Sequence, residues 1–60
     1  MTPTQYLAAL DKLGWTTQQA AQYLGIGWRQ SFRYAAGDQP ISESVALLLR
    51  MYLKHGANDD

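Results

Sequence analysis

The sequence predicts an all-α domain with four helices, or five at most, and three observations carry this prediction. Apolar residues recur at spacings of three and four, which is the period of a helix that packs on one side. Residues suited to helix N-caps precede these segments, and glycines follow them. We expect one domain over about residues 1–56, with helices at about 3–13, 17–24, 28–36 and 43–54 and a disordered tail at 57–60.

The start of helix 1 is marked by a capping box. Thr2 supplies the cap hydroxyl, Pro3 suits the first helical position, and Gln5 stands three residues after the cap. Gly14 offers the left-handed conformation at which helices commonly end. The apolar stripe predicted for this helix consists of Tyr6, Leu7, Leu10 and Leu13.

Helix 2 shows the same signals within a shorter segment. Thr16 and Gln19 repeat the capping box, and Trp15 precedes the cap, where it is positioned to pack onto Ala20. Gly25 ends the helix after about two turns. A helix this short needs tertiary contacts to be stable.

Helices 3 and 4 are separated by a polar loop. Helix 3 has no breaker before Gly37, although Gly27 is a poorer N-cap than Ser or Thr. The loop continues to Pro40, and Ser42 then caps helix 4, which we expect to end before Gly56.

Helix 4 carries more apolar residues than one face can hold. Its core face is predicted to comprise Val45, Leu48, Leu49 and Tyr52. Leu47, Met51 and Leu53 lie off that face, and a helix that is apolar nearly all round is normally buried on both sides. We therefore expect a homodimer with these three residues in its interface, unless helix 1 covers the second face.

The size and composition of the chain limit what can stabilise it. A domain of 60 residues buries only about 60% of its unfolded surface. The chain has no cysteine and no His/Cys run with metal-ligand spacing, so we expect neither a disulfide, a metal nor another cofactor. It also lacks a signal-peptide pattern and an apolar run of about 18 residues. We expect a cytoplasmic protein without a membrane or small-molecule partner.

Charge is unevenly distributed along the chain. The formal net charge is zero, but the only charged residues from Lys12 to Gly37 are Lys12, Arg29 and Arg33, all of them basic. This middle third is therefore compatible with a nucleic acid reader that depends on a few contacts.

The segment from Thr17 to Tyr34 has the features of a helix-turn-helix. Such a motif needs a small residue where its two helices cross and a residue that tolerates positive φ in the turn. Ala21 and Gly25, four residues apart, supply both. The residues predicted to anchor the pair to the core are Leu24, Ile26 and Tyr34.

Ala21, Gly25 and Tyr34 resemble the pattern of the Cro/phage-repressor (lambda repressor-like) helix-turn-helix family, and the resemblance extends over about residues 5–54. Two positions depart from that pattern. Ser31 stands where the family usually has a core Val or Ile, and Gly27 stands where a Ser or Thr cap is usual. A slight rotation of helix 3 would let Phe32 take the core position instead of Ser31.

The resemblance implies sequence-specific binding to double-stranded DNA by a small bacterial or phage transcriptional regulator. Helix 3 would then read base edges with Trp28, Arg29, Gln30 and Arg33. Arginine suits guanine, glutamine suits adenine, and Trp28 suits a thymine methyl group. The implied phosphate contacts are Thr17, Gln18 and Ser42, at the N-termini of helices 2 and 4.

Plainer interpretations remain for several of these residues. Arg29 and Arg33 would form a solvated face with a repulsive i,i+4 pair, and Trp28 would be a half-buried packing residue. For the four tyrosines, packing is favoured over base stacking. The same fold would also serve as a protein-interaction module, an adaptor or inhibitor that meets no phosphate. The sequence offers no nucleophile with a nearby base and no close carboxylate pair, so we expect no enzymatic activity.

Overall fold

The computed structural model describes residues 1–55, and that part of the chain contains four α-helices, as the sequence predicted. Helix α1 spans Pro3–Leu13, α2 Thr17–Leu24, α3 Trp28–Ala36 and α4 Glu43–His55. The first three have the predicted bounds, and α4 continues one residue beyond Lys54. The predicted stop at Gly56 and the tail at 57–60 lie outside the described residues.

The helix starts are built from local hydrogen bonds. Thr2 Oγ1 accepts from the Gln5 amide at 3.1 Å, and Gln5 Oε1 accepts from the Thr2 amide at 2.9 Å. Thr16 and Gln19 form the same reciprocal pair at 3.0 and 2.9 Å. Both predicted capping boxes are confirmed, so the entry into α1 and α2 is determined by neighbouring residues.

The core lies where α1 meets the other three helices. Tyr6 and Leu10 are buried as predicted, but Leu7 is exposed and Ala9 takes its place in the core. Leu7 lies about 100° around the helix from Tyr6, whereas Ala9 and Leu10 lie within about 60° of it. The core consists of Tyr6, Ala9, Leu10, Trp15, Ala20, Leu24, Tyr34, Val45 and Leu49.

Three aromatic rings join α4 to α2 and to the loop before it. Trp15, which the sequence placed against Ala20, stacks on Tyr23 with 4.3 Å between ring centroids. Tyr52 meets Trp15 edge to face at 5.0 Å, and its hydroxyl donates to the Tyr23 carbonyl at 3.3 Å. Packing of Tyr23 and Tyr52 is thus confirmed, although one side of Tyr23 stays exposed.

Helices α1 and α2 form the centre of the packing arrangement. Helix α3 packs on α2 and α1, and α4 packs on α1 and α2 rather than on α3. The outward side of α3 and the outward side of α4 are therefore two separate surfaces. The longest helix in residues 1–55 is α4 with 13 residues, which falls short of a bilayer span.

Candidate nucleic-acid interface

The turn between α2 and α3 has the geometry that the glycine spacing predicted. Gly25 has φ 70° and ψ 30°, and it follows Leu24 directly. The Ile26 amide donates to the Ala21 carbonyl at 3.0 Å and closes the end of α2. Ala21 itself is buried. The positive φ predicted for Gly25 is confirmed, and α3 leaves α2 through a short, hydrogen-bonded connection.

A buried serine joins three helices beside this turn. Ser31 in α3 is 0% exposed, and its Oγ donates to the Thr17 carbonyl of α2 at 2.7 Å. Since Ser31 has a single hydroxyl proton, Tyr6 of α1 must donate to Ser31 Oγ across the 2.6 Å that separate the two oxygens. Burial raises the pKa of the Tyr6 hydroxyl, an effect that the hydrogen bond with Ser31 partly offsets. This network holds α3 at one rotation about its axis.

The observed rotation of α3 shows that the core position predicted for Phe32 was wrong. Phe32 does not take the core position: it is 47% exposed, and Ser31 occupies the core instead. The physical reason is that the hydroxyl of Tyr6 needs a partner, which Ser31 provides and a phenyl ring cannot. Tyr34 is buried against Tyr6, with 5.7 Å between the ring centroids, and keeps the same side of α3 inward.

The opposite side of α3 exposes an aromatic pair beside an arginine pair. We call Trp28, Arg29, Phe32 and Arg33 the outer face of α3. Trp28 is 54% exposed and meets Phe32 edge to face, with 5.8 Å between centroids. The Arg29 guanidinium carbon lies 5.4 Å from the centroid of the Trp28 ring, within the range of a cation–π contact. Three of the four predicted base-contact residues therefore share one surface.

Gln30, the fourth predicted base contact, lies at the inward edge of α3. It is half-buried, and its Nε2 donates to the Tyr34 hydroxyl at 2.6 Å. One of its two amide protons is therefore used within the protein. A bidentate pair with adenine would require this side chain to turn outward.

The predicted phosphate contacts differ in their surroundings. Thr17 is half-buried, and its carbonyl accepts the hydrogen bond from Ser31 of α3. Gln18 is exposed on the first turn of α2. Ser42 is exposed, but its Oγ already accepts from the Val45 amide at 3.2 Å. Glu43 follows in the first turn of α4, and its carboxylate would repel a phosphate there. Thr17 and Gln18 therefore have better surroundings for a phosphate than Ser42.

The three predicted interface residues of α4 do not form one surface. Leu47 and Met51 are 59% and 50% exposed and lie one turn apart. Leu53 is less exposed, at 37%, and lies about 120° around the helix from Leu47. It lines a shallow cleft between α1 and α4 together with Ala8 and Arg50. Helix α1 leaves Leu47 and Met51 uncovered.

Sequence reasoning missed two features of this region. Phe32 belongs to the exposed outer face, and Tyr6 and Ser31 form a polar link inside the core. The signal for the first was present: Trp28 and Phe32 are four residues apart, which places them on one side of a helix. The second had no local signal because 25 residues separate its partners.

Comparison of the chain with protein families, curated proteins and solved structures yields no match.

Proposed function

We propose that this protein is a small cytoplasmic transcriptional regulator of the Cro/phage-repressor type that binds double-stranded DNA through the outer face of α3. The observation that carries the proposal is the exposure of Arg29 and Arg33 on a helix whose rotation and entry are fixed by Ser31 and Gly25. No acidic residue occurs from Lys12 to Gly37, so nothing in that segment repels a phosphate backbone.

The side chains of α3 and the first amides of α2 have different roles in the proposed DNA contact. An arginine guanidinium donates two hydrogen bonds to O6 and N7 of guanine in the major groove, and Arg33 is the principal candidate. The first amides of α2, at Thr17 and Gln18, have no acceptor within the helix and form the positive end of its dipole. They would bind phosphate without a side-chain cation and hold the duplex in register.

A second copy of the chain completes the proposal. The exposed pair Leu47 and Met51 on α4 is a candidate dimer contact, and it is separate from α3 because α4 packs on the other helices. Dimerisation would therefore leave both outer faces free for DNA. Sedimentation at about 100 μM tests for the dimer, and dilution should shift the protein toward the monomer. A monomer at that concentration in the parent protein contradicts it.

The test of DNA binding compares Arg33→Ala with Gln18→Ala on duplexes selected from a random library. If Arg33 contacts a guanine edge, its loss costs about 1–3 kcal/mol on the preferred site and flattens the preference at one base pair. If the Gln18 side chain only positions the duplex, its loss weakens all sequences by a similar factor. Arg50→Ala is the matched control, because it removes an exposed cation from α4.

Salt dependence and the Arg33 result together decide the proposal. Binding must weaken as salt rises, because counterions are released from each neutralised phosphate. An Arg33→Ala variant that weakens every duplex equally would make Arg33 a phosphate contact and leave base reading to Trp28, Arg29 or Gln30. An unchanged affinity would mean that α3 is not the reading helix.

A protein-interaction module is the second candidate, and the exposed pair Trp28 and Phe32 favours it. Tryptophan and arginine are enriched among the residues that dominate protein–protein binding energy. Trp28 and Arg29 lie in contact on the same surface. If no duplex binds in a salt-dependent manner while the outer face remains folded and exposed, this second function is the better account.

A further inference from the structure

We infer that Phe32 contacts a pyrimidine 5-methyl group, so that the preferred duplex carries thymine or 5-methylcytosine next to the guanine read by arginine. This inference rests on the proposed function and specifies which bases the outer face of α3 recognises. It starts from the division of that face into an apolar strip and a basic strip.

The two strips run side by side along α3. Trp28 and Phe32 are one turn apart, as are Arg29 and Arg33, and the two pairs are offset by about 100° around the helix. Both aromatic side chains are about half exposed, and neither belongs to the core cluster. A single exposed aromatic residue needs no explanation, but two in contact beside two arginines form a built surface.

Phe32 is the better placed of the two aromatic residues to touch a base. The Arg29 guanidinium lies over the Trp28 ring, and Phe32 meets the same ring edge to face. Both rings stay about half exposed, at 54% for Trp28 and 47% for Phe32, but a cation lies over the Trp28 ring. Phe32 lies one turn further along α3, and the helical wheel places it between Trp28 and Arg29. An apolar group in that position would enter the groove flanked by a cation.

The chemistry of the major groove offers one apolar partner. Thymine presents its C5 methyl group there, whereas guanine presents two acceptors and cytosine a donor. A phenyl ring beside a guanidinium therefore matches a methyl group beside a guanine edge. The absence of acidic residues from Lys12 to Gly37 makes the whole surface electrostatically compatible with DNA.

The test replaces thymine by uracil, which removes only the methyl group. Synthetic duplexes of the selected sequence are prepared with uracil at each thymine position in turn, and their dissociation constants are measured at one salt concentration. Burial of one methyl group corresponds to about a fourfold change in affinity. We expect a loss of this size at one or two positions. In duplexes that carry a cytosine–guanine pair at such a position, methylation of the cytosine at C5 should restore part of the affinity.

Variants of Phe32 assign the effect to this residue. In Phe32→Ala the uracil penalty should disappear, because the ring that senses the methyl group is gone. Phe32→Leu is the matched control, since it keeps an apolar side chain and should keep part of the penalty. Circular dichroism of both variants should match the parent, because Phe32 lies outside the core.

The outcomes separate this inference from the function on which it rests. A parent protein that binds thymine and uracil duplexes equally well overturns the inference and leaves DNA binding standing. A penalty that persists undiminished in Phe32→Ala also overturns it, because another residue then senses the methyl group. A parent that binds no duplex overturns both the inference and the proposed function, and leaves the aromatic pair as a protein-binding surface.

Discussion

Replacement of Ser31 by alanine should be the most damaging single-atom deletion in the domain. The change removes only Oγ, which links α3 to α1 and α2. The Tyr6 hydroxyl is fully buried, and without Ser31 it has no acceptor. An orphaned buried hydroxyl costs about 1–3 kcal/mol, and the lost bond to the Thr17 carbonyl adds about 0.5–1.5 kcal/mol.

These contributions are large for a protein of this size. The Thr17 carbonyl keeps its bond inside α2, so the loss at that end stays small. A total of about 1.5–4.5 kcal/mol compares with an expected stability of about 3–9 kcal/mol for a 60-residue domain. The melting temperature of Ser31→Ala should fall by about 6–36 °C.

The double variant Tyr6→Phe/Ser31→Ala tests the mechanism. Tyr6→Phe alone leaves Ser31 bonded to Thr17 and should cost only about 0.5–1.5 kcal/mol. In that background Ser31→Ala no longer orphans a hydroxyl. The double variant should therefore be at least as stable as Ser31→Ala alone, and the coupling between the two sites should be about 1 kcal/mol or more.

Urea denaturation followed by circular dichroism measures all four free energies, provided that the denaturant slope is unchanged. Ser44→Ala is the matched control, because Ser44 is exposed on α4 and its loss should stay within about 0.5 kcal/mol. The reasoning is refuted if Ser31→Ala costs no more than this control. It is equally refuted if the double variant loses the sum of the two single losses.

Three further predictions concern the turn and the core. Gly27→Ser should stabilise the protein by about 0.5–1 kcal/mol, because Gly27 has an ordinary φ of −69°, caps α3 without a side chain, and has open space for a Cβ. Gly25→Ser should destabilise the protein by about 1 kcal/mol, because Gly25 has φ 70°. Thermal melts in which Gly25→Ser is as stable as Gly27→Ser would contradict this prediction. Ala21→Leu should cost about 1–3 kcal/mol or more by forcing α2 from α3, so full helicity and an unchanged melting temperature would remove Ala21 from the helix crossing. Burial raises the pKa of Tyr6 above 10.0 in the folded protein, so the unfolded chain loses this proton at a lower pH than the folded one. The free energy of unfolding should therefore fall as pH rises above about 10. The denaturation midpoint of Tyr6→Phe should decline less steeply than that of the parent between about pH 8 and about pH 11.

The bounds of the first three helices were predictable from sequence because each signal acts within a few residues. The capping boxes at Thr2 and Thr16 hydrogen-bond residues three positions away. Gly25 adopts positive φ to end α2 wherever that helix packs. The burial of Ala21 was expected from its spacing to Gly25. The exposure of Arg29 and Arg33 was likewise expected from the helix-turn-helix pattern.

Only the tertiary structure decided which side of each helix faces the core. Hydrophobicity favoured Leu7 and Phe32 as core residues, yet Ala9 and Ser31 are buried and the larger side chains are exposed. The rotation of α3 depends on Tyr6, which lies 25 residues away in the chain. A helical period identifies a stripe, but a partner from another helix selects its rotation through shape and hydrogen bonding. The outer face of α3, including Phe32, is therefore a consequence of how α1 packs.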